Sequence, residues 1–274
     1  MTTPQPVGQL IFDEEIAEQL DARYRTRDIV RRRDLVYQAL GVQPGDRILD
    51  AGCGPGFFVA ELAELVSTAG SVVGVDRSPQ MLALATRRCS GYRNVILHEA
   101  EVTSLPVLDA SVDRALSVQV MEYIPDTMAA LAELYRAVRP GGLVLIWDID
   151  WSTVSWHSSD GARMAQVLQA WDEHLAHPAL PRTLAGQLRA VGFDQVEMAA
   201  HSFASTQRDP ENFAALVIQF IAQFVVGRCG LTNDDVAAWL ADQHQLDERG
   251  EFFFSCIQCC FTARRPSTSD PQHR

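Results

Sequence analysis

The stretch ILDAGCGPGFF, residues 48–58, places three glycines between strand-forming residues and the start of a helix. Gly52, Gly54 and Gly56 allow the backbone to turn sharply and to approach a ligand closely. The first amides of the following helix point toward the same place, where they favour a nucleotide-like ligand. The stretch therefore predicts a ligand-binding loop between the first strand and the first helix of an α/β sheet.

The spacing of this loop narrows the class of ligand. Its glycines follow the pattern Gly-x-Gly-x-Gly, whereas dinucleotide enzymes carry Gly-x-Gly-x-x-Gly, and no Gly-Lys-Ser/Thr follows as in a Walker loop. Asp50 at the start of the loop would repel a pyrophosphate, but a carboxylate suits a ligand that carries an ammonium group or another cation. A nicotinamide-dependent oxidoreductase is therefore a weaker alternative.

Strands and helices alternate along the chain from about residue 46. Apolar, β-branched runs predict strands at 47–50, 71–75, 94–98, 112–118 and 143–149, with helices between them. The alternation predicts an α/β fold with a doubly wound, mostly parallel, Rossmann-like sheet, which binds ligands at the carboxyl ends of its strands. There Asp76 can accept both hydroxyls of a ribose, with helix capping as its alternative role, and Glu101 can accept from an exocyclic amine.

The second half of the sequence is less regular. Helices are predicted around 164–175, 184–191 and 213–226 and from 233 onward, with strands at 195–203 and 251–262. We predict a division into an N-terminal helical lid at 1–42, a Rossmann-like core at 43–203, a helical cap at 204–248, a final sheet strand at 249–264 and a disordered tail at 265–274.

Composition limits the partners and the location. The formal net charge of −12 argues against a nucleic-acid partner, because phosphates require a basic face. The most apolar stretch, 213–226, is shorter than the ~20 residues of a membrane span. The acidic first 25 residues contain no apolar segment of signal-peptide length. These features predict a cytoplasmic protein without a membrane span.

The six cysteines form no regular disulfide framework, and we expect reduced thiols. Cys256 and Cys259 have the spacing of a metal or redox pair, but they fall in a predicted strand. Because side chains alternate between the two faces of a strand, these two thiols should point to opposite faces. Packing in the core is therefore favoured over a metal site, and no metal is predicted.

Several segments occur together in a known order: LDAGCGPG, VVGVD, EAEVTSLP, DASVDRALSVQVMEYIPD and RPGGLVLI. Over roughly residues 20–200 the sequence resembles class I S-adenosylmethionine-dependent methyltransferases. It is most similar to their small-molecule branch, which includes menaquinone/ubiquinone and arsenite methyltransferases. The resemblance implies S-adenosyl-L-methionine as cofactor, S-adenosyl-L-homocysteine as product, and a seven-stranded sheet whose last strand is antiparallel.

The resemblance also implies roles for individual residues. It places the methionine moiety near Asp50 and Gly52, the ribose on Asp76, the adenine between Met81 and Val102 with its amine near Glu101, and the backbone of Gln119 beside the sulfonium. The predicted cofactor residues are Asp50, Gly52, Gly54, Gly56, Asp76, Arg77, Met81, Glu101, Val102, Gln119, Tyr24 and Arg27. Tyr24 and Arg27 are included because two residues three apart share a helical face, although a solvated Arg27 is an alternative.

The acceptor is expected over the ends of the fourth and fifth strands. The stretch at 147–157 holds three tryptophans, two carboxylates and a histidine, which predicts an aromatic wall with Trp151, Asp150 and Trp156 as substrate residues. His157 is the candidate base, with a surface or capping histidine as the alternative. Tyr123 is the second catalytic candidate, and it departs from the family pattern, in which many relatives carry a histidine at this place.

The helix at 213–226 is a candidate lid over the acceptor. Gln219 and Gln223 are four residues apart and share a face, so their amides are predicted to face the substrate, while packing in the core or in a homodimer is an equal alternative. The leading prediction is an enzyme that transfers a methyl group in line to oxygen, nitrogen or carbon of a small molecule. A non-catalytic, S-adenosylmethionine-binding regulatory module is the alternative.

Overall fold

Seven strands form one sheet in the computed structural model, which describes residues 24–267. Their bounds are β1 Arg47–Ala51, β2 Ser71–Asp76, β3 Val95–Glu99, β4 Val112–Val118, β5 Val138–Trp156, β6 Asp194–Ser205 and β7 Phe254–Arg264. Eight α-helices of the described part accompany them: α1 Arg27–Leu40, α2 Phe57–Leu65, α3 Pro79–Cys89, α4 Thr127–Ala137, α5 Gly161–Asp172, α6 Pro181–Ala190, α7 Phe213–Phe224 and α8 Asn233–Glu248.

The strand order is β3-β2-β1-β4-β5-β7-β6. Strands β1 to β5 pair in parallel, and β7 pairs antiparallel with both β5 and β6. The predicted seven-stranded, mostly parallel sheet with an antiparallel last strand is therefore confirmed. The order reverses between β1 and β4, and a crevice at the carboxyl ends of these strands is where such sheets bind ligands.

Local sequence signals set the starts of two helices that border this crevice. The hydroxyl of Ser78 accepts from the amide of Met81 at 3.3 Å, and Pro79 occupies the first helical position of α3. The carboxylate of Asp126 accepts from the amide of Ala129 at 2.9 Å and caps α4. Each cap satisfies an amide that has no partner within the helix, and serine and aspartate are residue types that favour this position.

Apolar side chains fill both faces of the sheet. Ile48 and Leu145 belong to the core under α1 and α2, whereas their neighbours Leu49 and Val144 belong to the core under α4 and α6. The same alternation separates the cysteines of β7, since Cys256 and Cys260 lie in the first core and Cys259 lies in the second. The prediction of opposite faces for Cys256 and Cys259 is thus confirmed.

Strand β5 is much longer than the sequence predicted. It begins at Val138, directly after α4, so the Arg-Pro-Gly-Gly segment at 139–142 lies inside the strand rather than at a helix end. A register shift against β4 in this region accommodates Pro140, which has no amide to donate. At its other end β5 pairs with β7 as far as Trp156, so most of the stretch at 147–157 is strand.

The predicted segments are only partly covered by the structure. Residues 1–23 of the proposed lid and residues 268–274 of the proposed tail lie outside the described residues. Helices α7 and α8 occupy the segment predicted as a helical cap. Among the described residues, no helix has the length and apolar character needed to cross a bilayer.

Candidate active site

The glycine loop between β1 and α2 is held in a conformation that side chains oppose. Gly52, Gly54 and Gly56 have φ angles of +87°, +52° and +81°, in the left-handed region. The amides of Gly52 and Cys53 donate to the carbonyl of Val75 at 2.8 and 2.9 Å, which ties the loop to the end of β2. A Cβ atom at position 52 would lie only 2.2 Å from Cγ2 of Val120. This glycine therefore lets the loops after β1 and β4 meet.

A cavity opens at this point, above the carboxyl ends of the central strands. It holds about 1340 Å³ of free space, part of which is open to solvent. One end is lined by residues that follow β1, β2 and β3, most of them polar or glycine, together with the apolar Met81 and Val102: Gly52, Gly54, Asp76, Arg77, Ser78, Met81, Glu101 and Val102. The other end is lined mainly by apolar and aromatic residues: Ile29, Tyr123, Ile124, Trp151, Trp171, Phe213, Leu216 and Val217, whereas Phe220 packs against Met81.

Asp76 anchors the polar end. One carboxylate oxygen accepts from the amide of Gly54 and the other from the amide of Ser78, both at 2.8 Å. A carboxylate offers about four lone pairs, so it keeps capacity for a further donor such as a hydroxyl of a ribose. Burial raises the pKa of Asp76, and the two amides oppose this rise by stabilising the charged form.

Asp50 does not line the cavity. Its side chain lies beneath the glycine loop with 1% exposure, and its Oδ2 atom has no hydrogen-bond partner. Burial and the nearby charge of Asp76 raise the pKa of Asp50 to about 8. Asp50 can therefore act on a bound cation only through space, instead of in the direct contact suggested by the sequence.

Tyr24 and Arg27 do not share a helical face, because α1 begins only at Arg27. Tyr24 lines the cavity and stacks on Phe57, with ring centroids 5.3 Å apart. Arg27 instead pairs with Asp209 at 2.8 Å, and 63% of its side chain is exposed. The predicted closure of Arg27 over a methionine carboxylate is thus not seen, and the residue lies on the surface.

The loop after β4 brings a second polar group to the cavity. Gln119 lines it with a φ angle of +55°, and its amide donates to the carbonyl of Trp147 at 2.7 Å. The side-chain oxygen of Gln119 accepts a hydrogen bond from the guanidinium of Arg32 on α1. The sequence analysis did not predict Arg32 as a site residue. The signal was its place in the apolar stripe formed by Ile29, Val36 and Leu40.

Two tryptophans form the aromatic wall at the apolar end. Trp151 and Trp171 meet edge to face, with ring centroids 5.6 Å apart. The indole nitrogen of Trp151 donates to Glu122 Oε2 at 3.1 Å, which fixes the orientation of the ring. Trp151 was predicted as a substrate residue, and the structure brings it to the cavity. Trp171 was predicted only as part of a helix stripe.

A buried histidine lies behind this wall. His174 contacts the rings of Trp151, Trp171 and Tyr123. Its Nδ1 atom is in hydrogen-bond contact with the carbonyl of Trp171, so Nδ1 carries the proton and Nε2, which has no partner, is left as an acceptor. Burial lowers the pKa of His174 to about 4. The sequence analysis did not find this residue.

Glu122 and Asp148 are two buried carboxyl groups beside the apolar end. Glu122 Oε2 also accepts from the amide of Ile149 at 3.3 Å, whereas neither oxygen of Asp148 makes a hydrogen bond of normal geometry. Burial raises the pKa of both groups, and the charge of Glu122 adds to the rise at Asp148. The two groups therefore do not both carry charge readily near neutral pH.

Five residues predicted for catalysis or substrate binding are not brought to the cavity. They lie away from its lining: His157, Asp150, Trp156, Gln219 and Gln223. Strand β5 continues to Trp156, so His157 is carried to an exposed position where its amide donates to the carbonyl of Phe253. Trp156 packs edge to face on Trp239 and Phe254, and Asp150 pairs with Arg182 at 3.0 Å.

Helix α7 faces the cavity with the side opposite to the one predicted. Phe213, Leu216, Val217 and Phe220 line the cavity, whereas Gln219 and Gln223 are exposed. A helix buries the face that carries its apolar residues, and in α7 these residues recur at intervals of three and four positions. Tyr123, by contrast, lies at the cavity as predicted.

Comparisons with known proteins agree with this geometry. Residues 49–146 match the family described as methyltransferase domain. The chain is 30% identical over 174 residues to malonyl-acyl-carrier protein O-methyltransferase of Serratia marcescens. This matched region covers 60% of this chain and 66% of that protein. The chain is also 32% identical over 113 residues to demethylmenaquinone methyltransferase of Staphylococcus epidermidis. Here the matched region covers 41% of this chain and 47% of that protein. The chain thus spans about half to two thirds of these curated relatives.

The fold is also similar to solved structures. Phosphoethanolamine N-methyltransferase 2 of Haemonchus contortus, solved with S-adenosyl-L-methionine, matches with a TM-score of 0.61 at 18% identity, over 93% of this chain and 58% of that chain. An identity this low supports the architecture alone. Residues 49–146 of the chain thus match the methyltransferase-domain family, and the fold of the whole sheet is similar to that of a methyltransferase solved with S-adenosyl-L-methionine.

Proposed function

We propose that the protein transfers a methyl group from S-adenosylmethionine to a small, largely apolar acceptor. The observation that carries this proposal is the single cavity whose polar end lies at the glycine loop and whose apolar end is walled by aromatic rings. A nucleoside cofactor and an acceptor that meet in one cavity can be held at the short distance that displacement requires.

The residues of the polar end fit such a cofactor. Asp76 keeps capacity for a hydroxyl of the ribose, and Met81 and Val102 offer apolar surface to an adenine with Glu101 nearby. Asp50 lies beneath the loop with its Oδ2 atom unpartnered, and an ammonium group bound above Gly52 would favour the ionised form of this carboxyl group. We propose Tyr24 as a further contact, because its ring lines the same end and its backbone carbonyl is held by Arg33.

Bound S-adenosylmethionine supplies an electrophilic methyl group on a sulfonium. The residues of this chain contribute orientation and the exclusion of water. Gln119 lies at the junction of the two ends, held in its left-handed conformation by the carbonyl of Trp147. The rings of Trp151 and Trp171 form a dry surface on which an acceptor can be fixed relative to that junction.

The acceptor end favours an apolar molecule with few polar groups. Cysteine thiols are absent from its lining in the described part of the chain, which disfavours an arsenite-like acceptor. The name of one relative gives demethylmenaquinone as its acceptor, and we propose an acceptor of similarly apolar character for this chain. We also propose a cytoplasmic location, which the six free thiols support. Tyr123 is the catalytic candidate that borders the acceptor end.

Calorimetry separates the cofactor classes. The protein should bind S-adenosylmethionine and S-adenosylhomocysteine and should give no heat with NAD. Binding of NAD without a response to the other two ligands would exclude the proposal. Asp76→Ala should abolish cofactor binding, and retained affinity in this variant would disprove the assignment of the ribose.

Turnover is tested by release of S-adenosylhomocysteine. The panel of acceptors contains phenols, amines, carboxylates and prenylated quinol precursors, and we expect product with an apolar member. Cofactor binding without release for any member would favour the non-catalytic module.

A further inference from the structure

Arg32 is a buried cation at the cavity, and no residue of the described range 24–267 supplies a counter-ion to it. Arg32 is only 2% exposed, lines the cavity and donates to the neutral side chain of Gln119. Its Nε atom has no hydrogen-bond partner, and among residues 24–267 no carboxylate lies within ion-pair distance of its guanidinium. A fully buried arginine is almost always paired, because an uncompensated charge in the interior is costly.

The nearest carboxyl groups, Glu122 and Asp148, make no hydrogen bond to Arg32, and burial raises the pKa of both. Glu122 is close enough to influence the pKa of Arg32, yet its Oε2 atom is bound to the Ile149 amide and the Trp151 indole at 3.3 and 3.1 Å. Burial raises the pKa of Asp148 well above its usual range, so its neutral form is favoured. The other ionisable groups that influence Arg32 are Tyr24, Arg33 and Cys256, none of which is an anion at neutral pH.

The position of Arg32 points to the acceptor rather than to the cofactor. The cofactor carboxylates Asp76 and Glu101 follow β2 and β3, whereas α1 packs against β5 and β7 on the other side of the reversal in strand order. Ile29, one turn before Arg32, lines the apolar end together with Trp151 and Phe213. An anion that pairs with Arg32 would therefore lie between the aromatic wall and Gln119.

We propose that Arg32 binds an anionic oxygen of the acceptor, so that the acceptor is a ring-bearing or otherwise apolar molecule with one acidic group, such as a carboxylate, a phenolate or an enolate. This inference rests on the proposed function, since it names the substrate class of the same cavity. The guanidinium stabilises the ionised form of the acidic group and selects against amines, which would add a second cation beside the first.

The charges balance in the transfer that follows. A lone pair of the anionic acceptor, on oxygen or on the conjugated carbon of an enolate, forms the bond to the methyl carbon. The bond from this carbon to sulfur breaks, and its electron pair stays on sulfur as a neutral thioether. The negative charge of the acceptor and the positive charge of the sulfonium disappear together, so oxygen transfer requires no protein base. Carbon transfer to a ring would be followed by loss of the ring proton to solvent.

Binding of two probes of the same shape tests the proposal. We would titrate 1-naphthoate and 1-naphthylmethylammonium into the protein by calorimetry at neutral pH, with and without S-adenosylhomocysteine. The wild-type protein should bind the anion about tenfold or more tightly than the cation. Arg32→Gln should remove this preference, and Arg32→Lys should restore part of it. Arg31→Gln, on the exposed side of the same helix, is the matched control and should leave the preference unchanged.

Three results would overturn the proposal. They are equal affinities for the two probes in the wild-type protein, no binding of either probe, and an anion preference that survives in Arg32→Gln. Unchanged affinity of the variants for 5′-methylthioadenosine shows that they are folded.

The methionine carboxylate is the other anion that Arg32 could meet. It is present in S-adenosylhomocysteine and absent from 5′-methylthioadenosine. If Arg32→Gln weakens only the binding of S-adenosylhomocysteine, Arg32 holds the cofactor and the acceptor assignment is wrong. If the wild-type protein binds neither nucleoside but still prefers 1-naphthoate through Arg32, the proposed function fails and the anion site stands.

Discussion

Gly52 is the position of the loop where a side chain is least tolerated. Its φ angle is +87°, and a Cβ atom there would overlap Val120. We expect Gly52→Ala to displace the loop, to lower the free energy of unfolding by about 1–3 kcal/mol and to weaken binding of S-adenosylhomocysteine. Chemical denaturation and calorimetry measure the two effects.

Gly45 provides the control for this substitution. Its φ angle of +91° is almost the same, but a Cβ atom there would have no neighbour within 4 Å. Gly45→Ala should therefore lose stability through strain alone and keep full affinity for the nucleoside. Equal loss of affinity in both variants would mean that the contact with Val120 is unimportant.

Asp50 should make stability depend on pH in an unusual direction. Its pKa is raised to about 8, so the folded state holds the proton more tightly than the unfolded chain does. The contribution of this residue to the free energy of unfolding is fully present below about pH 4 and is lost as pH rises through 8. We therefore expect the melting temperature of Asp50→Asn minus that of the wild type to be larger at pH 8.5 than at pH 5.5.

The comparison uses thermal unfolding at both pH values. Asp34→Asn, at an exposed position of α1, should show the same difference from the wild type at both values. If the melting temperature of Asp50→Asn also differs from that of the wild type by the same amount at both pH values, Asp50 is not buried as a neutral acid.

Single residues differ in how far the sequence reveals them. Gly52 and Asp76 could be predicted because their roles depend on the local backbone and on the end of one strand. Arg32 and His174 could not, because their roles depend on burial by distant segments. The exposed and buried residues of an arginine run look alike in the sequence until the helix is docked.

At the scale of elements, α7 determines how much room the acceptor has. Val217 is buried on the face that lines the cavity, whereas Gln219 is exposed. Val217→Phe would fill part of the apolar end, and we expect it to raise the KM of an apolar acceptor about tenfold with an unchanged KM of S-adenosylmethionine. Steady-state kinetics with the acceptor found in the panel assay measures both constants.

The matched control lies two residues away on the same helix. Gln219→Ala should leave both constants unchanged, because its amide points away from the cavity. A rise in the acceptor KM for Gln219→Ala alone would restore the original prediction that this amide faces the substrate.

Element boundaries show where prediction from sequence ends. The starts of α3 and α4 were predictable, because their caps are encoded by one or two adjacent residues. The length of β5 was not, because its extension to Trp156 depends on pairing with residues of β7 about a hundred positions later. The candidate base His157 was misplaced for the same reason, since a longer strand carries it away from the cavity.

At the scale of the whole molecule, the closed packing on both faces of the sheet should protect the thiols. All six cysteines are free, and five of them are buried. The remaining one, Cys229, lies 3.3 Å from Glu173, whose hydrogen bond raises the pKa of the thiol. We expect Ellman's reagent to modify one thiol slowly in the native protein and six in denaturant.

Two variants assign the reactive thiol. Cys229→Ser should leave no reactive group in the native protein, and Glu173→Gln should accelerate the reaction because the thiolate then forms more easily. Fast modification of several thiols in the native protein would show that the core opens more readily than the packing implies.

The position of β7 between β5 and β6 also affects how the protein is made. Both neighbours precede β7 in the chain, and residues 206–253 must be synthesised between the end of β6 and the start of β7. At ribosomal rates of 5–20 residues per second this takes roughly 2–10 s. During that interval the nascent chain carries two strand edges that await the same partner, a state prone to wrong pairing. The synthesis of residues 206–253 is thus the interval in which wrong pairing of these edges competes with folding.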